Sequence, residues 1–204
     1  FRSVAGTTDQ VDVTFRLKEK PTGNLLLGIG FSSGDGVILQ GSISQSNLFG
    51  TGQQLTLGLN TSRVNRNLGL SWTEPYWTVN GVSLGFDVYN RRFDAGQLDL
   101  GNYVTDTLGA GVRTGFPITD DDRINFGLAP ERTKITLFLD SPLRYREFVR
   151  QNGSDPWALI GTASWGRDKR DSAVWPTRGT TQRLFLEVGL PGADLKYWKA
   201  RDRK

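Results

Sequence analysis

Gln54-Leu55-Thr56-Leu57-Gly58-Leu59-Asn60 decides the fold. Successive side chains of an extended chain point to opposite faces, so Leu55, Leu57 and Leu59 share one side. Gln54, Thr56, Gly58 and Asn60 occupy the other. In a soluble sandwich the face turned away from the core meets water and carries Lys and Glu. Here it is glycine, hydroxyl and amide. Such a face suits the wall of a polar lumen, with the leucines turned to lipid, as in a membrane barrel.

The alternation recurs on both sides of this stretch. Upstream, Leu25, Leu27, Ile29 and Phe31 make one stripe. The turn signal Gly34-Asp35-Gly36 follows, and then Val37, Leu39, Gly41 and Ile43 oppose Ile38, Gln40, Ser42 and Ser44. Gly50-Thr51-Gly52 is a second turn. Downstream, Leu68, Leu70 and Trp72 alternate with Gly69, Ser71 and Thr73 until Pro75 stops the run. Val82, Leu84, Phe86 and Val88 come next, then a long connection from about Arg91 to Tyr103. Leu108 to Phe116 forms another stripe, closed by Pro117, and Asp120-Asp121-Asp122 reads as a solvated turn. Ile124, Phe126 and Leu128 start a strand. The stretch from Pro130 to Pro156 reads as its extension followed by a short helix near Leu143 to Arg150. Trp157 to Trp165 and Leu184 to Val188 complete the series, giving about nine antiparallel strands. Trp72, Tyr76, Trp77, Trp157, Trp165 and Trp175 fall near strand ends, where an aromatic girdle meets the membrane interface.

Composition agrees. A hydrophobic content of 37% and a mean hydropathy of −0.39 exclude a bundle of membrane helices, and no run approaches the apolar length such a helix needs. Barrel strands escape that test because their two faces cancel. Cys and His are both absent, which removes disulfides, thiolate metal sites and the usual general base. No nucleophile stands beside a base. The chain therefore reads as a non-enzyme with no cofactor and no metal. The net charge of +4 is spread along the chain, so nucleic acid is not expected as a partner. Phe1 and the lack of a signal segment suggest a processed chain or a fragment.

Residues 1–20 differ from the rest. Gln10 to Glu19 alternates as a half-buried strand with one charged face, and Lys20-Pro21-Thr22-Gly23 punctuates it. This opening, Asp9-Gln10-Val11-Asp12-Val13-Thr14-Phe15 with Glu19-Lys20-Pro21-Thr22-Gly23, resembles the last strand of a POTRA domain leading into a barrel. Gly41-Ser42-Ile43-Ser44-Gln45-Ser46-Asn47-Leu48-Phe49-Gly50-Thr51-Gly52 resembles the second barrel strand and turn of the BamA family, the outer-membrane assembly insertases. Thr73-Glu74-Pro75-Tyr76-Trp77-Thr78-Val79-Asn80-Gly81-Val82-Ser83-Leu84-Gly85 is the most specific match. Gly115-Phe116-Pro117-Ile118 and Trp175-Pro176-Thr177-Arg178-Gly179-Thr180 resemble later periplasmic turns. The likeness runs in order over residues 9–199.

The resemblance implies an all-β fold: the N-terminal half of a sixteen-stranded transmembrane β-barrel, preceded by the last strand of a POTRA domain. Residues 1–20 would end that domain, 21–23 would link, 24–199 would open the barrel, and 200–204 would be a tail outside the family pattern that does not read as a strand. It implies the central subunit of the machinery that folds and inserts outer-membrane proteins, in the outer membrane of a Gram-negative bacterium with its N-terminal part in the periplasm. Partners would be outer-membrane lipids, nascent β-barrel proteins and periplasmic accessory lipoproteins. The site would be a lateral gate along the edge Asn24, Leu25, Leu26, Leu27, Gly28, Ile29, Gly30 and Phe31, where client strands add by backbone hydrogen bonds. The turn motif Glu74, Pro75, Tyr76 and Trp77 would anchor at the interface.

Other readings of the same residues stand beside these. Gly28 and Gly30 either soften a seam or relieve crowding in a curved sheet. Asp168, Arg170 and Asp171 fit a solvated turn better than a metal site, and Gly28-Ile29-Gly30 lacks the helix a nucleotide fingerprint requires. A polypeptide-translocating pore of the two-partner secretion or TamA type is the alternative function; a soluble ligand-binding β-domain is a third.

Overall fold

The computed structural model describes residues 2, 3, 11–13, 15, 16, 18, 20–98, 101–172 and 174–203. Two short strands, β1 (Arg2–Ser3) and β2 (Val11–Asp12), pair antiparallel with each other. Ten further strands form one sheet in chain order. They are β3 (Gly23–Ser32), β4 (Gly36–Gln45), β5 (Gln54–Thr61), β6 (Asn65–Glu74), β7 (Ser83–Asp94), β8 (Tyr103–Pro117), β9 (Asp122–Leu137), β10 (Trp157–Asp168), β11 (Thr181–Gly189) and β12 (Trp198–Arg203). A helix, α1 (Leu143–Asn152), sits between β9 and β10. Every strand of the large sheet is antiparallel to its neighbour, an up-and-down meander with no crossover.

Register follows from the period-2 pattern, because a slip of one residue would turn every leucine to the wrong face. Leu25 lies opposite Ile43, Ile43 opposite Leu57, and Leu57 opposite Leu70. The row continues through Val88 and Ala110. Further along, Leu128 faces Gly161, Ala163 faces Leu186, and Leu186 faces Ala200. One face of the sheet is thus a continuous apolar band, on which Trp72 stacks on Phe86 and Phe116 meets Phe126 edge-on. No second layer covers it among the described residues. The accessible surface is 15126 Å². A compact folded protein of this mass would expose about 9,500 Å².

An antiparallel meander places alternate connections at the same end. Residues 46–53, 75–82, 118–121 and 169–180 lie at one end, called here the near end, where β3 also begins. Residues 33–35, 62–64, 95–102, 138–156 and 190–197 lie at the far end. What compact core exists is at the far end: Val64, Ala95, Tyr103, Val104, Ile135 and Ala158 are the buried apolar side chains among the described residues. There α1 lays Tyr145 flat on Tyr103, ring centroids 3.8 Å apart, with their hydroxyls 2.9 Å apart.

The structure corrects several sequence expectations. The stretch read as one strand from Gln10 to Glu19 is a strand only at Val11–Asp12; Val13, Phe15, Arg16 and Lys18 are irregular, and Gln10, Thr14, Leu17 and Glu19 lie outside the described residues. The tail, which does not read as a strand in the sequence, is one as far as Arg203: β12 pairs along β11, with Trp198 opposite Val188 and Ala200 opposite Leu186. Its Lys and Arg residues hide an ordinary alternation. Ten strands therefore stand where about nine were counted. The long connection read from Arg91 to Tyr103 is shorter, because β7 continues to Asp94 and a single 3-10 turn (Ala95–Leu98) follows. Asp122 is no solvated turn residue. It opens β9, buried, and accepts two hydrogen bonds from Arg167 at 2.8 and 3.0 Å and one from Thr119 at 3.0 Å. The helix expected near Leu143 to Arg150 forms as α1.

Candidate functional site: the β3 edge and the near-end turns

Asn24, Leu25, Leu26, Leu27, Gly28, Ile29, Gly30 and Phe31 all lie within β3, an outermost strand of the sheet. It pairs only with β4, from Gly23 opposite Gln45 to Ser32 opposite Gly36. Backbone groups on its other side have no strand partner among the described residues. The side chains are open as well: Leu27, Ile29 and Phe31 are each about four-fifths exposed. At Gly28 an added Cβ would meet nothing nearer than Gln40 Cβ at 3.8 Å, and at Gly30 nothing nearer than Ile38 Cβ at 3.9 Å. Both are ordinary contacts, so crowding does not require glycine at either position.

The second group, Glu74, Pro75, Tyr76 and Trp77, is placed at the near end and does not touch β3. Glu74 ends β6, Pro75 removes the next ladder donor, and the Glu74 carboxylate accepts the Tyr76 N–H at 3.2 Å. Val82 N–H donates to Thr78 Oγ1, and Gly81 N–H to the Thr78 carbonyl at 3.0 Å, which closes the turn. The rings of Tyr76 and Trp77 are left outside. Phe49, Ile118, Val174 and Trp175, from the other near-end connections, are exposed in the same way. All four connections thus present an exposed apolar or aromatic residue at the same end of the sheet, where an interfacial girdle would lie.

The 169–180 connection is held by its carboxylates. Asp168 accepts two hydrogen bonds from the Arg170 guanidinium, at 2.8 and 2.6 Å. Asp171 accepts from the Thr177 hydroxyl and from the backbone N–H groups of Thr177 and Arg178 at 2.9 and 3.1 Å. These donors hold the Asp171 carboxyl down at about 2, the Thr177 hydroxyl contributing most. Gly179 is required here: its φ is +110° and it packs against the Lys169 carbonyl. No group of three or more metal-ligating side chains occurs among the described residues.

Sequence reading missed the charge on the inner face. The stretch from Gln54 to Asn60 offers only glycine, hydroxyl and amide on that face. The face instead carries a ladder of cross-strand hydrogen bonds. Arg113 donates to Asp87 at 2.6 Å, Ser71 at 2.7 Å and Thr73 at 2.8 Å. Glu131 accepts from Tyr89 at 2.6 Å and Arg91 at 3.1 Å. Arg123 donates to Ser83 at 2.8 Å, and Glu187 accepts from Tyr197 and Lys199 at 2.9 Å. The signal was present as period-2 placement of Asp87, Arg91, Arg113, Arg123, Glu131 and Glu187 opposite the apolar stripes. Glycines make room for these side chains: Gly85 lies beneath Arg113, and Gly109 beneath the Tyr89 ring.

Known proteins match this arrangement. A sequence model described as the Omp85 superfamily domain matches residues 47–202, which takes in most of β12. "Outer membrane protein assembly factor BamA" of Neisseria meningitidis serogroup B is 40% identical over 97% of the chain and 26% of its own length. The protein of the same name from Nitratidesulfovibrio vulgaris is 26% identical over 89% of the chain and 22% of its own. The crystal structure of BamA from Haemophilus ducreyi lacking POTRA domains 1–3 superposes with a TM-score of 0.74 and 27% identity, covering 97% of this chain and 40% of that one. The chain spans about a quarter of the length of these curated relatives.

Proposed function

We propose, for a chain that belongs to the Omp85 superfamily, that it supplies the receiving edge of an outer-membrane protein assembly factor. The ten strands are those of an outer-membrane β-barrel of a Gram-negative bacterium, folded as in the solved BamA barrel. The observation that carries the functional reading is β3. It is an edge strand whose outer backbone groups have no strand partner among the described residues, softened by two glycines that packing does not demand. In hydrocarbon each unsatisfied backbone group costs several kcal/mol, so the edge must be met by another strand. Main-chain hydrogen bonds do not depend on side-chain identity, and one edge can therefore template many incoming strands. Glycine inside a strand weakens its pairing and lets the strand bend, as a seam that opens requires.

In this reading no bond is made or broken in the client. The protein lowers the barrier to strand pairing, and outer-membrane lipids and nascent β-barrel proteins are the partners. β3 enters from the periplasm, after a POTRA domain to which residues 1–20 contribute. The near-end turns then face the periplasm, where accessory lipoproteins dock, and their aromatic rings seat the barrel at the interface. The curated relatives' name favours assembly over a translocating pore.

A disulfide between Leu26→Cys and a cysteine on the strand that seals β3 in the full-length protein tests this. Oxidation should stop insertion of client barrels into liposomes, and reduction should restore it. Normal insertion with the pair fully oxidised would overturn the reading.

A further inference from the structure

The apolar band of the outer face ends, toward the far end, in a row of charge. Register places Arg66 of β6 directly opposite Arg92 of β7, Arg92 opposite Asp106 of β8, and Asp106 opposite Lys134 of β9. By the alternation of strand faces these side chains share the side of Leu68, Val88 and Leu128. One step nearer the band, Arg132 lies between Leu108 and Trp157. Asp106 reaches Arg92 at 3.6 Å and Asp155 engages Arg132, while no ion pair reaches Arg66 or Lys134 among the described residues. Four cations thus share two carboxylates, and Arg66, Arg92 and Lys134 are exposed.

Two arginines directly opposite one another destabilise a strand pair unless something neutralises them. Beside hydrocarbon the cost is larger, and the long stems carry the guanidinium groups up to headgroup level. The outward charges at the near end differ: Arg167 is held by both oxygens of buried Asp122. Among the strand side chains of this face that are described, the excess of cation therefore lies at the far end.

We propose that the Arg66–Arg92–Lys134 row binds the phosphate groups of anionic lipids in the leaflet at the far end of the strands. Charge complementarity selects the occupant. A guanidinium fork grips phosphate oxygens in pairs, and two opposed forks need an anion between them. The apolar band directly below takes the acyl chains, and Trp157 beside Arg132 stands at the boundary. The inference requires only that the sheet spans a membrane, and stands or falls apart from any role in assembly.

The test uses the full-length protein in dodecyl maltoside micelles, with bound lipid counted by native mass spectrometry and affinity obtained by titration. Diphosphoryl lipid A, phosphatidylcholine and inorganic phosphate are the probes. The R66Q/R92Q double variant should bind diphosphoryl lipid A about 25-fold more weakly, from about five-fold per cation removed at an anionic surface. Its unfolding midpoint in lipid-free micelles should stay level, because the like-charge opposition and the exposed Arg92–Asp106 ion pair are lost together. Arg146→Gln, on α1, should leave the affinity within about two-fold. If the double variant does not fold, Lys134→Gln should still show the single-charge loss. Undiminished binding by a folded variant, equally tight phosphatidylcholine, or inorganic phosphate binding as well as the lipid would overturn the proposal.

Discussion

Tyr89 and Gly109 show how single residues build the lumen wall. The Tyr89 ring lies across the Gly109 backbone so that its hydroxyl reaches Glu131 at 2.6 Å, two strands away. Any Cβ at residue 109 would occupy the space of the ring. Gly109→Val should therefore displace Tyr89, break the Glu131 contact and cost about 1–3 kcal/mol, as overpacking does. Gly58 is the control. Nothing lies within 4 Å of a Cβ built there, and valine favours strands. Gly58→Val should be neutral or slightly stabilising. Urea unfolding of the barrel in micelles measures both, and equal midpoints for the two variants would contradict this account of the inner-face glycines.

At the scale of one element, β3 combines an open edge with interior glycines. Gly28 and Gly30 have room for side chains, so their replacement tests flexibility without a steric penalty. Gly28→Val with Gly30→Val should raise strand propensity by up to about 1 kcal/mol per position. The expected outcome is a barrel that folds and resists urea as well as the parent or better, yet inserts client proteins several-fold more slowly into liposomes. An unchanged client rate would show that the seam does not depend on these glycines. β12 teaches a different lesson. Lys199 and Arg201 alternate with Trp198 and Ala200, and Lys199 bonds Glu187 on the neighbouring strand. A run of charge in sequence becomes one wet face of a strand once a partner exists to pair with it.

The molecule as a whole is a single layer. Among the described residues its apolar band has no protein against it, and the 15126 Å² of accessible surface is more than half again the area expected of a compact fold. An exposed apolar face of this extent marks a membrane or an aggregation site. The 204-residue chain expressed alone should therefore show β-sheet circular dichroism in detergent micelles and should aggregate in detergent-free buffer. A monodisperse, folded chain in buffer, seen by light scattering, would refute the lipid-facing assignment of the leucine stripes.

The sequence by itself determined nine of the ten strands of the large sheet, their faces and most of the turns. Period-2 alternation is local, and glycine and proline act on the residues beside them. It also determined the family, through the turn motifs around Glu74-Pro75-Tyr76-Trp77. Only the tertiary structure decided what register decides. The Arg66–Arg92 opposition, the Arg113–Asp87 and Tyr89–Glu131 contacts and the Arg167–Asp122 pair join residues 20 or more positions apart. No local rule links such residues, because a cross-strand neighbour is fixed by the length of the intervening turn and strand. The same reason hid β12, whose charges made sense only beside β11.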